Sequence, residues 1–210
     1  PPLLMLPTIY ATLTEQGLLA LDEFEWVQAA ADDAEAAVLI SNDIHHVVIH
    51  NASVEDSEDT MHSPVDAVLA STCKRAFRGR RRNQSETSSA GRPDFFLPVH
   101  VSAKTIVTFR GEEKLANQAG QSHPRDELIQ KTPWDAWAQF YADLPYIFGY
   151  FAIGRPGELL LQFGCLVRDS RTFVPIGREY NLAEAMDRVH AFLFFIKLVP
   201  FLRAAAKRAS

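Results

Sequence analysis

Two stretches of alternating and β-branched apolar residues, each interrupted by a turn signal, constrain the fold of this chain most strongly. The first covers residues 95–99 and 105–109, with a turn at 102–104. The second is PYIFGYFAIGRPGELLLQFGCLV, in which residues 154–157 supply the turn. Short apolar runs separated by Gly, Pro or Ser are typical of antiparallel hairpins. We therefore predict two hairpins that belong to one sheet.

Segments with helical spacing lie around these hairpins. Residues 123–143 predict one or two polar helices, and an apolar stripe that starts near Asn181 predicts a terminal helix that Pro200 breaks. Upstream, Ser63 is a good N-cap residue and Pro64 suits the first helical position, so a helix is predicted to begin there.

The N-terminal part of the chain carries a weaker pattern. Residues 11–36 are acidic, rich in Ala and amphipathic, which predicts a helix. The runs AAVLISN and HHVVIHNA, separated by Asp43, predict two short strands. We expect residues 1–37 to be a helical segment, either a linker or the end of an upstream domain, and residues 38–210 to be one α/β domain.

Length and composition bound the class of protein. The chain has 210 residues, 47% of them hydrophobic, which is enough for one domain with a sizeable core. A net charge of -5 excludes a protein that wraps nucleic acid through bulk positive charge. Cys73 and Cys165 do not have the spacing of a disulfide scaffold or zinc module. The run AFLFFIKLVPFL is too short to cross a bilayer, so we expect no membrane partner.

Positive charge is nevertheless concentrated in one segment. Six of the 21 Lys and Arg residues lie between Lys74 and Arg82. A solvated loop is one interpretation of this run; a patch that contacts nucleic-acid phosphates or a nuclear-import signal is the other. For the phosphate contacts the candidates are Arg78, Arg80, Arg81 and Arg82.

The residues with the clearest chemistry flank the first hairpin. Asp94 precedes one strand, and Glu112 and Lys114 follow its partner, eighteen residues after Asp94. In extended chain, residues two apart point to one side, so Glu112 and Lys114 face one site and Glu113 faces away. Two carboxylates suit Mg²⁺ or Mn²⁺, with the Glu113 carbonyl as an extra ligand, and a lysine supplies the cation that phosphodiester cleavage requires.

Such a site commonly includes an acid from a preceding helix. Glu58 is the first candidate because it lies at the entry to the predicted helix, and Glu55 and Asp66 compete with it. The alternative to a metal site is that Asp94 caps a turn while Glu112 and Lys114 form an exposed surface pair.

On the stretches SEDTMHSPVDAVL, GRPDFF, TFRGEEK and LPYIFGYFAIG, the chain resembles the PD-(D/E)XK restriction-endonuclease-like domain of Crinkler-type effectors and related kinase-linked proteins of oomycetes and fungi. The resemblance covers roughly residues 38–205. It implies a three-layer α/β core in which a mixed central sheet is flanked by helices. It also implies that Asp94, Glu112 and Glu58 hold the metal and that Lys114 is the catalytic lysine.

The function implied by this resemblance is a Mg²⁺- or Mn²⁺-dependent endonuclease that cleaves DNA, with RNA as the alternative substrate, in a secreted effector that acts in the host nucleus. The resemblance also implies a protein-kinase domain as a fused or adjacent partner. This segment itself contains no kinase motif. The competing hypothesis is a nuclease-fold module that has lost activity and serves DNA binding or docking beside a kinase.

Overall fold

A computed structural model describes residues 43–49, 58–77, 81–82, 94–101, 103–116 and 122–209, with the side chains of residues 58, 59, 71, 81 and 82 outside that description. In chain order the elements are α1 (residues 43–49), α2 (Glu58–Phe77), β1 (Arg81–Arg82), β2 (Phe95–Val101), β3 (Lys104–Leu115), α3 (Pro124–Gln130), α4 (Ala138–Tyr141), β4 (Tyr146–Arg155), β5 (Glu158–Val167), β6 (Thr172–Pro175), β7 (Tyr180–Asn181) and α5 (Ala185–Arg208).

The seven described strands form one mixed sheet in the order β1-β2-β3-β4-β5-β6, and β7 pairs with β5. Both predicted hairpins are present, as β2–β3 and β4–β5. Strands β3 and β4 run parallel, whereas the other pairs are antiparallel. A parallel pair needs a crossover connection, and helices α3 and α4 lie in it.

Helices cover both faces of this sheet. On one face α5 packs through aromatic rings, with Phe195 centred 5.1 Å from Phe109 and Phe201 6.2 Å from Phe148. Helix α2 contacts β2, β3 and α5 on the same side. Helices α3 and α4 contact β3 on the opposite side. The predicted α/β fold, with a mixed sheet between two helical layers, is confirmed.

Helix α5 continues past Pro200, so the prediction that this proline breaks the helix is wrong. Phe201 and Leu202, which follow it, are both buried, and their packing against the sheet holds the helical backbone although Pro200 lacks an N–H donor. Among the described helices, α5 is the one long and apolar enough to span a membrane, but 61% of its apolar window is buried inside the protein. That burial is the mark of a core helix.

The start of α2 also differs from the prediction. The helix begins at Glu58, not at Ser63, and Pro64 lies inside it. Met61 is fully buried, and its sulfur lies 2.6 Å from the position that a side-chain carbon on Gly154 would take. This close packing against β4 draws the first turn of the helix onto the domain. Pro64 therefore removes one internal hydrogen bond without setting the boundary.

The strand predicted at HHVVIHNA is wrong where the structure describes it, because residues 43–49 are helical. Arg188 of α5 donates hydrogen bonds to the carbonyls of Val47 at 2.9 Å and Val48 at 3.1 Å. These carbonyls lie in the last turn of α1, where helical backbone acceptors lack intrahelical partners. The run AAVLISN and the helix predicted at residues 11–36 lie outside the described residues, as does the proposed boundary at residue 37.

Candidate active site

Asp94 lies directly before β2, where the ladder between β2 and β3 ends. The last backbone pair joins Phe95 to Gly111, so the N–H of Glu113 lies beyond the end of β2. Asp94 Oδ2 accepts a hydrogen bond from that N–H at 2.8 Å. The side chain thus replaces a missing strand partner, which fixes its carboxylate beside β3 at the level of Glu112.

The predicted alternation along β3 is confirmed. Glu112 accepts a hydrogen bond from Lys131, which follows helix α3, and Lys114 Nζ lies 3.5 Å from Oε2 of Glu127 in α3. Both side chains therefore point to the face that α3 covers. Strand β3 extends to Leu115, so Glu112 and Lys114 lie within the strand. The prediction that they follow the strand is wrong. Glu112 is fully buried, which excludes the alternative of an exposed surface pair.

Two residues that sequence reasoning missed complete this polar group. Lys131 Nζ lies 3.1 Å from Glu127 Oε2, one helical turn away, and also bonds Glu112. The sequence does show a Glu and a Lys four residues apart in a predicted helix. Such pairs are common on solvated helix faces, so the spacing alone did not point to the site. We call Asp94, Glu112, Lys114, Glu127 and Lys131 the polar cluster.

Glu112 lies in an environment of this cluster that is unfavourable for a charged carboxylate. Its burial, and then the negative charge of Asp94, raise its pKa from 4.5 to about 8, although Lys131 acts in the opposite direction. Its Oε2 atom is buried and has no hydrogen-bond partner among the described residues. A buried carboxylate oxygen without a donor costs free energy. The site is therefore short of positive charge at Glu112.

The pKa values of Asp94 and Lys131 are shifted by the same surroundings. Burial raises the pKa of Asp94, against the hydrogen bond from the Glu113 N–H, and the charge of the Glu113 carboxylate adds to the rise. Burial lowers the pKa of Lys131, but its hydrogen bond to Glu112 outweighs burial and the net shift is upward. Lys131 thus stays a cation beside Glu112.

The opposite face of β3 carries a second buried carboxylate, Glu113, with a different environment. His62 Nδ1 of α2 lies 2.5 Å from its Oε2, and the Tyr150 hydroxyl donates to its Oε1 at 2.6 Å. A side chain at Gly111 would meet the Tyr150 ring at 2.1 Å, so glycine there allows the hydroxyl to reach Glu113. Because Glu113 also donates its N–H to Asp94, this face anchors the backbone that positions the site.

The structure describes only some of the other predicted site residues, which are the helix acids and the arginines. Glu58 is the first residue of α2, four residues before His62, and its side chain lies outside the described residues. Asp66 lies further along the same helix, and Glu55 lies outside the described residues. The choice among these three stays open. Among the candidate arginines, Arg81 and Arg82 form β1 at the edge of the sheet beside β2, whereas residues 78 and 80 lie outside the described residues.

The donors of the polar cluster fit a hard divalent cation. Asp94 and Glu112 offer carboxylate oxygens, and the unpartnered Oε2 of Glu112 is the atom that a Mg²⁺ or Mn²⁺ ion would satisfy. Within the described parts of the chain, no group of three or more His, Cys, Asp or Glu side chains is arranged to hold a metal. A cation here would take two carboxylates and complete its shell with other oxygens.

Comparison with known proteins supports the resemblance in part. The chain is similar to Crinkler effector protein 8 of Phytophthora infestans, with 31% identity over 136 residues. The aligned region is 65% of this chain and 21% of that protein, so the chain spans about a fifth of the relative's length. No protein-family profile matches the chain, and no solved structure matches it. The match supports a Crinkler-like relationship and leaves the nuclease class to be tested.

Proposed function

We propose that this chain is a metal-dependent phosphodiesterase that cuts DNA internally, with Asp94, Glu112 and Lys114 at its centre. The observation that carries the proposal is Glu112: a fully buried carboxylate beside a second carboxylate, with one oxygen that has no hydrogen-bond partner in the part of the chain that the structure describes. Such a pair is costly to a fold, and clusters of this kind occur where a site performs chemistry. Two lysines next to the pair suit a phosphate substrate.

Asp94 and Glu112 would hold Mg²⁺ or Mn²⁺, and the Glu113 carbonyl is the proposed extra ligand. The bound ion would supply Lewis acidity and lower the pKa of water. Lys114 places positive charge beside the substrate phosphate, where charge develops in the transition state. Lys131 donates a hydrogen bond to the other oxygen of Glu112, Oε1, and so orients that carboxylate. The acid from α2, with Glu58 as first candidate, would complete the ligand set.

The biological setting proposed for this activity follows from the relative, which is named as an effector. We infer that the chain is the nuclease module of a secreted effector that acts in host cells, in the nucleus. Arg78, Arg80, Arg81 and Arg82 would contact DNA phosphates outside the cleavage site, and a protein-kinase domain would be a fused or adjacent partner. RNA is the alternative substrate.

A plasmid-cleavage assay tests the activity, with Mg²⁺, Mn²⁺ or EDTA added to the wild type and to D94N and K114M. Each variant should lose at least about 100-fold in rate, because each removes a group that stabilises the transition state. Two matched controls should cut at the wild-type rate: D135N at an exposed carboxylate, and K104M at an exposed lysine at the other end of β3. Cleavage that survives in D94N would contradict the assignment.

The second candidate function is an inactive module for DNA binding or docking. The observation that favours it is that Lys131 already bonds Glu112 and that the described residues contain no three-ligand metal cluster. In that case the wild type would bind DNA and cut none with either metal. Metal-dependent cutting by the wild type excludes this candidate.

A further inference from the structure

A pocket of about 280 Å³ lies beside the polar cluster, at the carboxyl ends of the parallel strands β3 and β4. Lys114, His123 and Arg155 line it, over an apolar floor that includes Leu115 and Ile153. In sheets with parallel strands, ligands bind outside the carboxyl ends, where the crossover connection leaves the sheet. The position and the basic lining suit a ligand that carries negative charge.

The register of the sheet makes this pocket continuous with the cluster. Glu112 pairs with Phe151 and Lys114 pairs with Ile153, so Arg155 follows on the same face of the sheet. The basic side chains of Lys114 and Arg155 therefore lie next to the two carboxylates, on the same face of the sheet. A nucleic-acid strand bound along this face would place one phosphate at Glu112 and another beyond Lys114.

His123 has a defined role in the lining. Its Nδ1 accepts the backbone N–H of Arg125 at 3.1 Å and so caps helix α3, and its ring lies 5.2 Å from that of Phe151. A nitrogen that accepts a hydrogen bond carries no proton, so the proton is on Nε2. Two contacts hold the ring in place, and we expect Nε2 to be the atom that donates to a ligand.

Arg155 is held only weakly by its neighbour. It lies 3.6 Å from Glu158 across the turn between β4 and β5, and its side chain is 56% exposed. Exposed pairs of this kind contribute little free energy, so a phosphate can replace the glutamate at small cost. Among the described residues that line the pocket there is no Asp or Glu.

We propose that this pocket binds the phosphodiester next to the one at the polar cluster, through Arg155, His123 and Lys114. The inference rests on the proposed function in one respect, that the bound chain is a nucleic acid. The volume lies just below the range of about 300–1,000 Å³ typical of small-molecule sites. It therefore suits a segment of sugar-phosphate backbone and not a large cofactor.

The test measures binding apart from cleavage, by fluorescence anisotropy of labelled single-stranded DNA, single-stranded RNA and duplex DNA in EDTA. R155Q should weaken binding of the preferred strand several-fold and lower the slope of log Kd against log salt by about 0.7–0.9, the value for one lost phosphate contact. The matched control is R171Q, because Arg171 is also exposed and paired with a single carboxylate, Asp135. It should bind as the wild type does.

H123N provides the second variant. Asn is a good N-cap residue, so the variant keeps an acceptor for Arg125 and removes the Nε2 donor. It should fold as the wild type does and bind more weakly. If R155Q keeps the affinity and slope of the wild type, or if R171Q weakens binding equally, the inference is overturned, as it also is if the wild type binds none of the three probes.

Cleavage by the wild type, measured in parallel, separates this inference from the proposed function. Selective weakening in R155Q by a protein that cuts nothing supports the pocket and counts against the nuclease. Cutting by the wild type together with unchanged binding in R155Q supports the nuclease and overturns the pocket.

Discussion

Glu112 and Glu113 are neighbours in β3 and are both buried, yet they have different hydrogen-bond partners on the two faces of the strand. Glu113 has a partner for each oxygen, His62 on Oε2 and Tyr150 on Oε1. Glu112 has Lys131 on one oxygen and, among the described residues, no hydrogen-bond partner on the other, and Asp94 adds negative charge nearby. The difference teaches that burial alone does not identify a functional carboxylate. What identifies it is that hydrogen bonds and positive charge do not fully offset the cost of burying its charge.

The largest effect that would sharpen this comparison is expected for E113A. The substitution removes the acceptor shared by His62, which is 26% exposed, and the buried Tyr150. Two hydrogen bonds to a charged group are lost, which costs about 3–5 kcal/mol in total. Urea unfolding followed by circular dichroism measures the loss. A variant within about 0.5 kcal/mol of the wild type, the range of neutral surface changes, would show that Glu113 is not a structural carboxylate.

Y150F separates the hydrogen bond from the packing on the same face. The ring stays against Phe109 and Phe95, and only the hydroxyl that bonds Glu113 is lost. We expect the free energy of unfolding to fall by about 1.5–3 kcal/mol, as for a hydrogen bond to a charged group. The matched control is Y180F, whose hydroxyl is on a buried ring in β7 far along the chain from the cluster. An equal effect in both variants would remove the special role of Glu113.

E112Q should act in the opposite direction, on metal-free protein in EDTA. It removes a buried charge that lacks compensation and keeps an oxygen for Lys131, so we expect the variant to be more stable than the wild type by about 1–2 kcal/mol at pH 8.5. Differential scanning calorimetry measures the change. Loss of stability in E112Q would mean that Glu112 belongs with Glu113 as a structural group.

The pH dependence of this difference follows from the shifted pKa. The folded-state pKa of Glu112 is about 8, above its ordinary value of 4.5, so the folded protein binds this proton more tightly than the unfolded chain. The wild type is therefore most stable relative to E112Q below pH 4.5, and it loses that stability as the pH rises through about 8. A stability difference that is flat between pH 5 and pH 8.5 would contradict the assignment.

The smallest of these effects is expected for K131M. Removing the cation leaves Glu112 without its donor, but Glu112 can take up a proton, which limits the loss of stability to about 1 kcal/mol. K104M at an exposed position of β3 serves as the control in the same unfolding experiment and should not change stability. A loss of several kcal/mol in K131M would show that Glu112 is kept ionised in the metal-free fold.

The sequence was informative where local pattern decides the structure. The two hairpins and the opposite faces of Glu112 and Glu113 follow from alternation and turn residues, which are local properties. The α3 contribution could not be predicted, because Lys131 reaches Glu112 only after the crossover from β3 to β4 folds back on the sheet. Helix α1 was mistaken for a strand because β-branched residues favour strands, and its hydrogen bonds to the distant Arg188 are a tertiary contact that no local pattern shows.

The most direct test of the account is whether the buried pair binds a divalent cation. Isothermal titration of Mn²⁺ into metal-free protein should show one site in the wild type and in D135N, and that site should be lost in D94N and E112Q. An equal Mn²⁺ affinity in the wild type, D94N and E112Q would contradict the claim that the unsatisfied oxygen of Glu112 marks a metal centre.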